Sequence, residues 1–378
     1  LFNLLTPSTT MKFICTQENL IIGINTVVHI AGKNTTLPIL NNIKIKTTAN
    51  GLELISTNLE IAVTTFVRGR VEEEGELTIP ARLLAETVSL LPKENITILQ
   101  QGSNDIILLS EKNKTVLRGA PSDDFPVIPQ INQGIEVYLP SQPIVDALSR
   151  VVLAVNPLES RPEISGVYVV LEKNKLVLVG TDSYRLAEEF LEIKNQDKEI
   201  SFLLPLKTCQ EIIRLFGGQE EDLKLLIGDS QVSCGLGGIN IISRLINGQY
   251  PDYKQIIPTQ TNTTTVVDKN NLIQAVKSAS LFVRSGINDI KVKIDVGGNE
   301  VEVSSLNSQL GENVTKIATN KSQGDSLETV FNYRYLLDVL QSVVGQEVVI
   351  GATSANSPVV IRSAKQEGYL YLLMPIRQ

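Results

Sequence analysis

Five residues with reactive or hydrogen-bonding side chains follow a strand-like apolar run in the stretch LVGTDSYRLAEE, residues 178–189. Thr181–Arg185 combines hydroxyls, a carboxylate, a phenol and a guanidinium. Two roles fit this pattern. The cluster could be an enzyme's active site, or it could close a turn at a strand end, as Asx and Ser/Thr side chains commonly do. General acid–base catalysis uses histidine most often, and His29 is the one histidine in the chain.

Other motifs give little support for catalysis. The GLGG stretch at 235–238 lacks the G-x-G-x-x-G pattern and a following helix, so it is interpreted as a turn. The acids of SDDFP at 122–126 could hold a divalent ion, but a structured loop fits them better. The chain has neither a P-loop nor a G-x-S-x-G motif. We therefore predict no catalytic residue, metal or cofactor.

Composition predicts a cytoplasmic protein outside the membrane. Three cysteines with no C-x-x-C pair argue against a disulfide framework or zinc site and suit a reducing cytoplasm. Polar or charged residues interrupt every apolar run before it could span a bilayer. The net charge of -7 argues against a surface that simply coats nucleic acid. Residues 1–10 precede Met11 and are interpreted as an upstream extension.

Amphipathic helices recur along the chain with a long period. The segments 18–31, 142–155 and 270–283 have apolar residues at helical spacing, and their landmarks Leu20, Ile144 and Leu272 are separated by 124 and 128 residues.

A second set of predicted helices begins with a cation in each repeat. The segments 79–91, 204–216 and 331–343 carry Arg82, Lys207 and Arg334 at equivalent positions, 125 and 127 residues apart. Four residues after each cation comes an acid, namely Glu86, Glu211 or Asp338.

Alternating, β-branched hairpins lie between the helices. Their predicted turns are Asn50-Gly51, Lys173-Asn174 and Gly297-Gly298. Within the hairpins, Leu52, Leu176 and Val301 align at spacings of 124 and 125 residues. The three sets of landmarks thus agree on a period of about 125 residues. The sequence thus predicts three α+β domains, each with two helices covering antiparallel sheet, at 11–134, 135–263 and 264–378.

Three copies of one domain favour a scaffold over an enzyme with one pocket. Other cations fall on predicted helices, at Arg150, Arg214, Lys277 and Arg284. If the cations share one face, an acidic protein could still present a basic lining to the phosphate backbone. The alternative is that they are ordinary solvated helix faces.

The chain resembles the bacterial DNA polymerase III beta subunit (beta sliding clamp) family from Met11 to Gln378. The resemblance rests on the order and spacing of segments distributed over the three repeats. They are MKF at 11–13, TTLPILNNI at 35–43, TIPARLL at 78–84, DDFP at 123–126, VGTDSYRLA at 179–187, NGQYPDYKQIIP at 247–258, FNYRYLLDVL at 331–340 and YLLMPIRQ at 371–378. It implies three tandem DNA-clamp domains that form a closed ring as a head-to-tail dimer around duplex DNA.

The resemblance also implies a groove on the outer surface that receives short peptide motifs. The residues carried over to this groove are Arg161, Ile164, Thr181, Ser183, Tyr184, Arg185, Leu186, Pro251, Ile256, Asn332, Tyr335, Met374, Pro375, Ile376 and Arg377. From the residue types, Arg185 is expected to offer hydrogen bonds, while Ile164, Leu186 and Met374 are expected to form apolar wall. Turn closure is the alternative role for Thr181 and Asp182.

Two further sets of residues follow from the resemblance. Those expected to contact DNA are Lys33, Asn34, Arg82 and Lys207. Those expected at the dimer seam are Lys112, Lys114, Leu117, Leu281 and Phe282. For the seam residues, protection of a sheet edge by charge and burial within a domain remain alternatives.

The implied partners are duplex DNA, a second copy of the chain, the replicative DNA polymerase, an ATP-dependent clamp loader, and repair polymerases and mismatch-repair proteins. The function predicted is that of a non-enzymatic processivity factor. An enzyme that uses Thr181–Arg185 and a monomeric peptide-binding adaptor without DNA encirclement are the alternatives.

Overall fold

The computed structural model describes residues 11–32, 36–194, 197–283 and 286–376. Residues discussed above that lie outside the described ranges are 1–10, Lys33, Asn34, Arg284, Arg377 and Gln378.

The same order of elements occurs three times, which confirms the repeat predicted from the spacing. A strand and a helix are followed by strands, a second helix and three strands, with one additional strand (β5) in the first repeat. The first repeat contains β1 (Lys12–Thr16), α1 (Gln17–Val27), β2 (Asn42–Thr48), β3 (Gly51–Thr57), β4 (Ile61–Val67), β5 (Arg70–Glu73), β6 (Glu76–Pro80), α2 (Ala81–Ser89), β7 (Asn95–Gln101), β8 (Asp105–Leu109) and β9 (Lys114–Arg118). The second contains β10 (Ile135–Pro140), α3 (Ser141–Val151), β11 (Gly166–Glu172), β12 (Lys175–Thr181), β13 (Arg185–Glu192), β14 (Ile200–Pro205), α4 (Leu206–Phe216), β15 (Asp222–Ile227), β16 (Gln231–Leu236) and β17 (Ile239–Arg244). The third contains β18 (Thr263–Asp268), α5 (Lys269–Ser280), β19 (Asp289–Asp295), β20 (Glu300–Asn307), β21 (Gly311–Gln323), β22 (Leu327–Asn332), α6 (Tyr333–Ser342), β23 (Glu347–Ala352), β24 (Val359–Ser363) and β25 (Tyr369–Leu373).

The chain divides into two compact units. The first comprises the residues up to Ser141 together with Gly218–Arg244, and the second comprises Gln142–Gly217 and Leu245–Gln378. The first unit holds a five-stranded sheet, β5-β1-β7-β8-β9, and an eight-stranded sheet, β10-β15-β16-β17-β4-β3-β2-β6. The second holds a twelve-stranded sheet, β14-β11-β12-β13-β25-β24-β23-β18-β21-β20-β19-β22. The middle repeat contributes strands to both units, and the predicted domain bounds remain a prediction.

Helix positions follow from local capping and from the apolar face of each helix. The Thr16 side chain accepts a bond from the N–H of Asn19 at 3.2 Å and starts α1, while Asp268 caps α5 in the same way at 2.8 Å. Close packing of α1 on the sheet requires Gly23, since a Cβ there would lie 2.4 Å from Cγ2 of Val67.

Most predicted turns are observed, and one was misplaced. Gly237 and Gly238 form the predicted turn at left-handed φ angles of 60° and 84°, and Lys173-Asn174 joins β11 to β12. The turn predicted at Asn50-Gly51 lies one residue earlier. Gly51, at φ 122°, already pairs with Thr48 across the ladder.

The expectation that Arg150 joins the exposed cations is wrong. Its Nε and Nη2 donate to the Glu189 carboxylate at 2.7 and 2.5 Å, and Glu189 is buried. Arg214 is also paired, through Nη2, with Glu211 at 2.6 Å. Both arginines therefore neutralise acids of their own unit.

Cys15, Cys209 and Cys234 are buried thiols, and burial raises the pKa of Cys15 and Cys234 to about 12. Within the described ranges, no helix has the length and apolar character needed to cross a bilayer.

Candidate functional site

The stretch Thr181–Arg185 forms the tight turn between β12 and β13. The Thr181 hydroxyl donates to the carbonyl of Arg185 at 2.7 Å and accepts from the N–H of Ser183 at 3.1 Å. Oδ1 of Asp182 accepts from the N–H groups of Tyr184 and Arg185, both at 3.0 Å. Turn closure is thus the observed role of Thr181 and Asp182.

Arg185 is held from several sides in the second unit. Its Nε donates to Asp182 at 3.0 Å, and its Nη1 donates to Asp338 of α6 and to the Tyr371 hydroxyl at 3.4 Å. The guanidinium also lies 4.1 Å from the ring centroid of Tyr335. Burial would lower the pKa of Arg185, but Tyr371, Asp338 and Asp182 raise it above its ordinary value. Three of its five N–H donors are engaged, so much of the hydrogen bonding expected toward a ligand is already used.

Ser183 sits at the apex of the turn in the left-handed backbone region, at φ 73°. Its hydroxyl accepts a 2.7 Å bond from Nη2 of Arg161, whose Nε donates to Glu159 at 3.0 Å. Hydrogen bonds from the side chain and then the backbone N–H of Arg161 lower the pKa of Glu159 to about 2. The 159–161 loop therefore packs against the apex and leaves Tyr184 pointing outward, with 66% of its surface exposed.

The C-terminal segment runs beside the same turn. β25 pairs with β13, and beyond it the N–H of Met374 donates to the carbonyl of Tyr184 at 2.9 Å. The N–H of Ile376 donates to the carbonyl of Val330 at 2.8 Å. Met374, Pro375 and Ile376 are half-buried, so the structure brings the predicted tail and turn together.

Ile164 and Leu186 lie deeper than a groove wall requires. Each is 1% exposed, within an apolar cluster that also contains Leu372. Their side chains are part of the buried core of the second unit. Among the large hydrophobic residues predicted for the groove, Tyr184 and Ile256 are the exposed ones in the described ranges, at 66% and 43%.

Pro251 belongs to a turn whose tyrosines extend this cluster. Tyr253 is buried, and its hydroxyl donates to Glu188 at 2.5 Å. Pro251 lines a cavity of about 320 Å³ between this turn and β11 and β12. Asn332, another predicted groove residue, is the last residue of β22 and caps α6 by accepting from the N–H of Arg334 at 3.0 Å.

Sequence reasoning missed several residues that hold the site together: Asp338, Tyr371, Tyr253 and Val360. Tyr253 lies within the quoted motif NGQYPDYKQIIP and could have been found there. Asp338 was noted for its spacing from Arg334, but its observed partner is Arg185.

Arg82, Lys207 and Arg334 occupy one equivalent position. Each is the second residue of α2, α4 or α6, and each is exposed. The alignment of the three cations predicted from spacing is therefore confirmed.

The residues predicted for the dimer seam divide by exposure. Lys112, Lys114 and Leu281 are exposed, and Phe282 is half-buried, whereas Leu117 is 4% exposed in the core of the first unit. Because side chains alternate along a strand, Val116 is the apolar residue of β9 that faces outward, with 47% exposure.

Family models match nearly the whole chain. The N-terminal, central and C-terminal domains of the DNA polymerase III beta subunit match residues 11–129, 138–252 and 254–377. The chain belongs to the DNA polymerase III beta subunit family.

Similar proteins agree with that assignment. The Beta sliding clamp of Bacillus subtilis (strain 168) is 29% identical, covering 97% of this chain and all of that protein. The Beta sliding clamp of Staphylococcus aureus (strain Mu50) is 26% identical, covering 97% of this chain and 99% of its own length. The crystal structure of the Bacillus subtilis DNA polymerase sliding clamp superposes with a TM-score of 0.93 at 27% identity, covering 98% of this chain and 100% of that one. The Thermotoga maritima DNA polymerase III beta subunit gives a TM-score of 0.91 at 26% identity, covering 97% and 100%.

Family membership decides between the roles left open by the sequence. The chain has three tandem clamp domains and is a DNA sliding clamp, a non-catalytic processivity factor of DNA polymerase III. The geometry of Thr181–Arg185 agrees, since Thr181 and Asp182 bond to the backbone of the turn and Arg185 bonds to Asp182, Asp338 and Tyr371. Among the described residues, no group of three His, Cys, Asp or Glu side chains is placed to hold a metal ion.

Proposed function

We propose that two copies of the chain join head to tail into a closed ring around duplex DNA. The observation that carries the proposal is the exposed cation at the second residue of α2, α4 and α6. A cation in the first turn of a helix opposes the helix dipole by about 0.3–1 kcal/mol, so helix stability does not explain it. Contact with phosphate does, because the DNA backbone attracts cations regardless of base sequence.

Lys33 and Asn34 are proposed as further DNA contacts on the strength of the resemblance. A chain with a net charge of -7 would bind DNA weakly by charge alone. A closed ring removes that difficulty, because topological linkage retains the protein while weak contacts let it slide.

Two open strand edges support the proposed seam. β9 is an edge strand of the first unit and carries the exposed Val116 and Lys114. In the second unit, residues 311–318 of β21 pair with β20 on one edge, and β18 pairs only with residues 319–323. The other edge of residues 311–318 therefore has no partner among the described strands. We propose that β9 of one protomer pairs with this part of β21 in its partner, and that Lys112 and Lys114 lie near the exposed Glu312.

Apolar residues next to that part of β21 also support the seam. Leu281 is 73% exposed, Leu310 is 63% exposed and Val314 is 53% exposed. A Cβ built on Gly311 would lie 3.7 Å from Cε1 of Phe282, so Phe282 borders the same surface. An exposed apolar surface of this kind typically marks an interface.

The groove beside Tyr184 is proposed as the docking site for short peptide motifs of polymerases, the clamp loader and repair proteins. Exposed Tyr184 and Ile256 supply apolar contact, Arg161 and Ser183 supply polar groups, and the Met374–Ile376 segment closes one side. Arg377 is proposed as part of that side from the resemblance. A protein that acts with these partners on replicating DNA works in the cytoplasm, where three buried thiols are stable.

A peptide titration tests the groove. Anisotropy of a labelled peptide from the C-terminus of the replicative polymerase should show saturable binding, and Tyr184→Ala should weaken it about tenfold, which corresponds to 1.4 kcal/mol. Tyr138→Ala is the matched control, since Tyr138 is an exposed tyrosine of the first unit at 56% exposure. Equal affinities for the two variants would refute the groove.

Sedimentation tests the seam independently. Val116→Glu and Leu281→Glu should each dissociate the dimer, while Val344→Glu, at an exposed residue remote in sequence from both edges, should leave it intact. A dimer that persists in both seam variants would refute the proposed pairing.

A further inference from the structure

The first unit contains a second copy of the strand-end turn, at Thr57–Ile61 between β3 and β4. The Thr57 hydroxyl donates to the carbonyl of Ile61 at 2.9 Å and accepts from the N–H of Leu59 at 3.1 Å. Oδ1 of Asn58 accepts from the N–H groups of Glu60 and Ile61 at 3.0 and 2.8 Å. These bonds match, position for position, those of Thr181–Arg185.

The segment beside this turn is also duplicated. The N–H of Arg244, the last residue of β17, donates to the carbonyl of Glu60 at 2.9 Å. The N–H of Met374, which directly follows β25, donates to the carbonyl of Tyr184 at the same distance. A cavity of about 240 Å³ lies here, bordered by the turn, by Arg244 and by the connector Pro126–Pro129. The structure therefore repeats the backbone frame of the proposed groove, with an opening of its own.

The side chains in the second frame are different. Ile61, at the position of Arg185, is 2% exposed and packs in the core. Leu59 at the apex is 43% exposed and Val127 on the connector is 91% exposed, so the opening has apolar borders. Glu60 and Arg244 are its exposed charges.

The connector offers main-chain bonding groups. Among the described residues, none accepts a hydrogen bond from the N–H of Val127 or Ile128. An extended peptide can use such groups by adding a strand, with its alternate side chains entering pockets.

Arg244 indicates the charge of the occupant. No carboxylate lies within salt-bridge distance of its guanidinium in the described ranges. Arginine pairs readily with a carboxylate through its planar array of donors, and Glu60 on the turn disfavours a second acid there. The charges therefore complement a peptide with one carboxylate next to its apolar residues.

We propose that the opening between Thr57–Ile61, Pro126–Pro129 and Arg244 is a second docking groove for an extended peptide with apolar residues followed by a carboxylate. The peptide class rests partly on the function proposed for the groove at Tyr184, and the site itself rests on the duplicated frame. Two docking grooves in one chain would let a protomer hold two partners at once.

The test uses the full chain and two fluorescein-labelled octapeptides, one with two leucines followed by aspartate and one with asparagine in place of the aspartate. The aspartate probe should bind about three- to tenfold more tightly. Arg244→Gln should abolish that difference, whereas Arg68→Gln, at another exposed arginine of the first unit, should preserve it. Repeating the titrations in a Tyr184→Ala chain separates this site from the groove proposed above.

A second variant separates binding from folding. Leu59 has a left-handed φ of 76°, which glycine adopts without strain. Leu59→Gly should therefore raise the thermal midpoint while it weakens both probes by about threefold or more.

Four results would overturn the proposal: no saturable binding below about 1 mM, equal affinity for the two probes, no effect of Arg244→Gln, or loss of all binding in Tyr184→Ala. Tighter binding of a probe with lysine in place of the aspartate would assign recognition to Glu60 and overturn the proposed peptide class. If Tyr184→Ala leaves polymerase-peptide binding unchanged while Arg244→Gln acts as expected, the first groove fails and the second stands.

Discussion

The turns at 57–61 and 181–185 share one backbone conformation but carry different side chains. Both are closed by a threonine hydroxyl and an Asx carboxyl or amide oxygen, and both place a residue other than glycine at positive φ, 76° for Leu59 and 73° for Ser183. Ile61 then enters an apolar core, whereas Arg185 enters an ionic network with Asp182 and Asp338. The comparison teaches that the repeated fold determines the turn, while individual side chains determine what each turn can bind.

The largest effect is expected from removing the ionic network. Arg185→Ala leaves Asp182, 4% exposed, without its cation, and breaking a buried pair costs about 3 kcal/mol. Peptide affinity at the groove should also fall, while the dimer remains intact. Chemical denaturation and sedimentation measure both.

Arg161→Ala is the control for that variant. Its side chain is 50% exposed, and exposed ion pairs contribute little to the free energy of unfolding. Equal losses of unfolding free energy in the two variants would contradict the view that the network at Arg185 distinguishes this turn.

Truncation after Leu373 should have the next largest effect. The chain then lacks the bonds from Met374 to Tyr184 and from Ile376 to Val330, which hold the segment proposed to close one side of the groove. Polymerase-peptide affinity should fall about tenfold with the dimer unchanged by light scattering. The octapeptide probes of the second groove should bind as before, and a parallel loss there would show that the two frames are not independent.

A smaller effect tests backbone strain. Ser183→Gly relieves the left-handed conformation but loses the bond from Arg161, so a net gain of about 0.5 kcal/mol is expected in thermal or chemical unfolding. Ser149→Gly, inside α3, should instead destabilise the protein by about 0.5–1 kcal/mol. The same sign for both would mean that Ser183 carries no strain.

The smallest effect concerns the segment that precedes the connector Pro126–Pro129. Ser122, in that segment, donates to Glu76 at 2.6 Å, and bonds from Ser122 and Lys44 hold the pKa of Glu76 below its ordinary value of 4.5. A lowered folded-state pKa stabilises the protein above pH 4.5, and this stabilisation is lost as pH falls through the folded-state pKa. Glu76→Gln should flatten that part of the stability profile. An unchanged dependence of unfolding free energy on pH would show that the Ser122–Glu76 bond does not stabilise the protein.

Periodicity predicted the repeat and the six helices because apolar spacing is a local property. It could not predict the turn at 57–61, since the letters TNLEI contain no glycine and give no sign of a left-handed residue. Nor could it predict the partner of Asp338. Helical spacing pointed to Arg334, but Asp338 bonds to Arg185, which lies 153 residues away. Such pairings depend on how the sheet brings distant strands together.

The burial of individual residues proposed for the seam and the groove could not be predicted, for a related reason. Alternation along β9 turns Leu117 inward and Val116 outward, and an edge strand gives no sequence signal for which face is covered. Ile164 and Leu186 were expected at a surface, but the extended apolar cluster beneath the groove buries them.

Retention on DNA tests the central claim most directly. The protein is loaded by a clamp loader onto nicked circular DNA, isolated, and held at high salt before the circle is linearised. A ring should stay on the circle at high salt, because linkage is topological, and should leave once free ends exist. Loss from the intact circle as salt rises would mean ordinary electrostatic binding and would contradict the account.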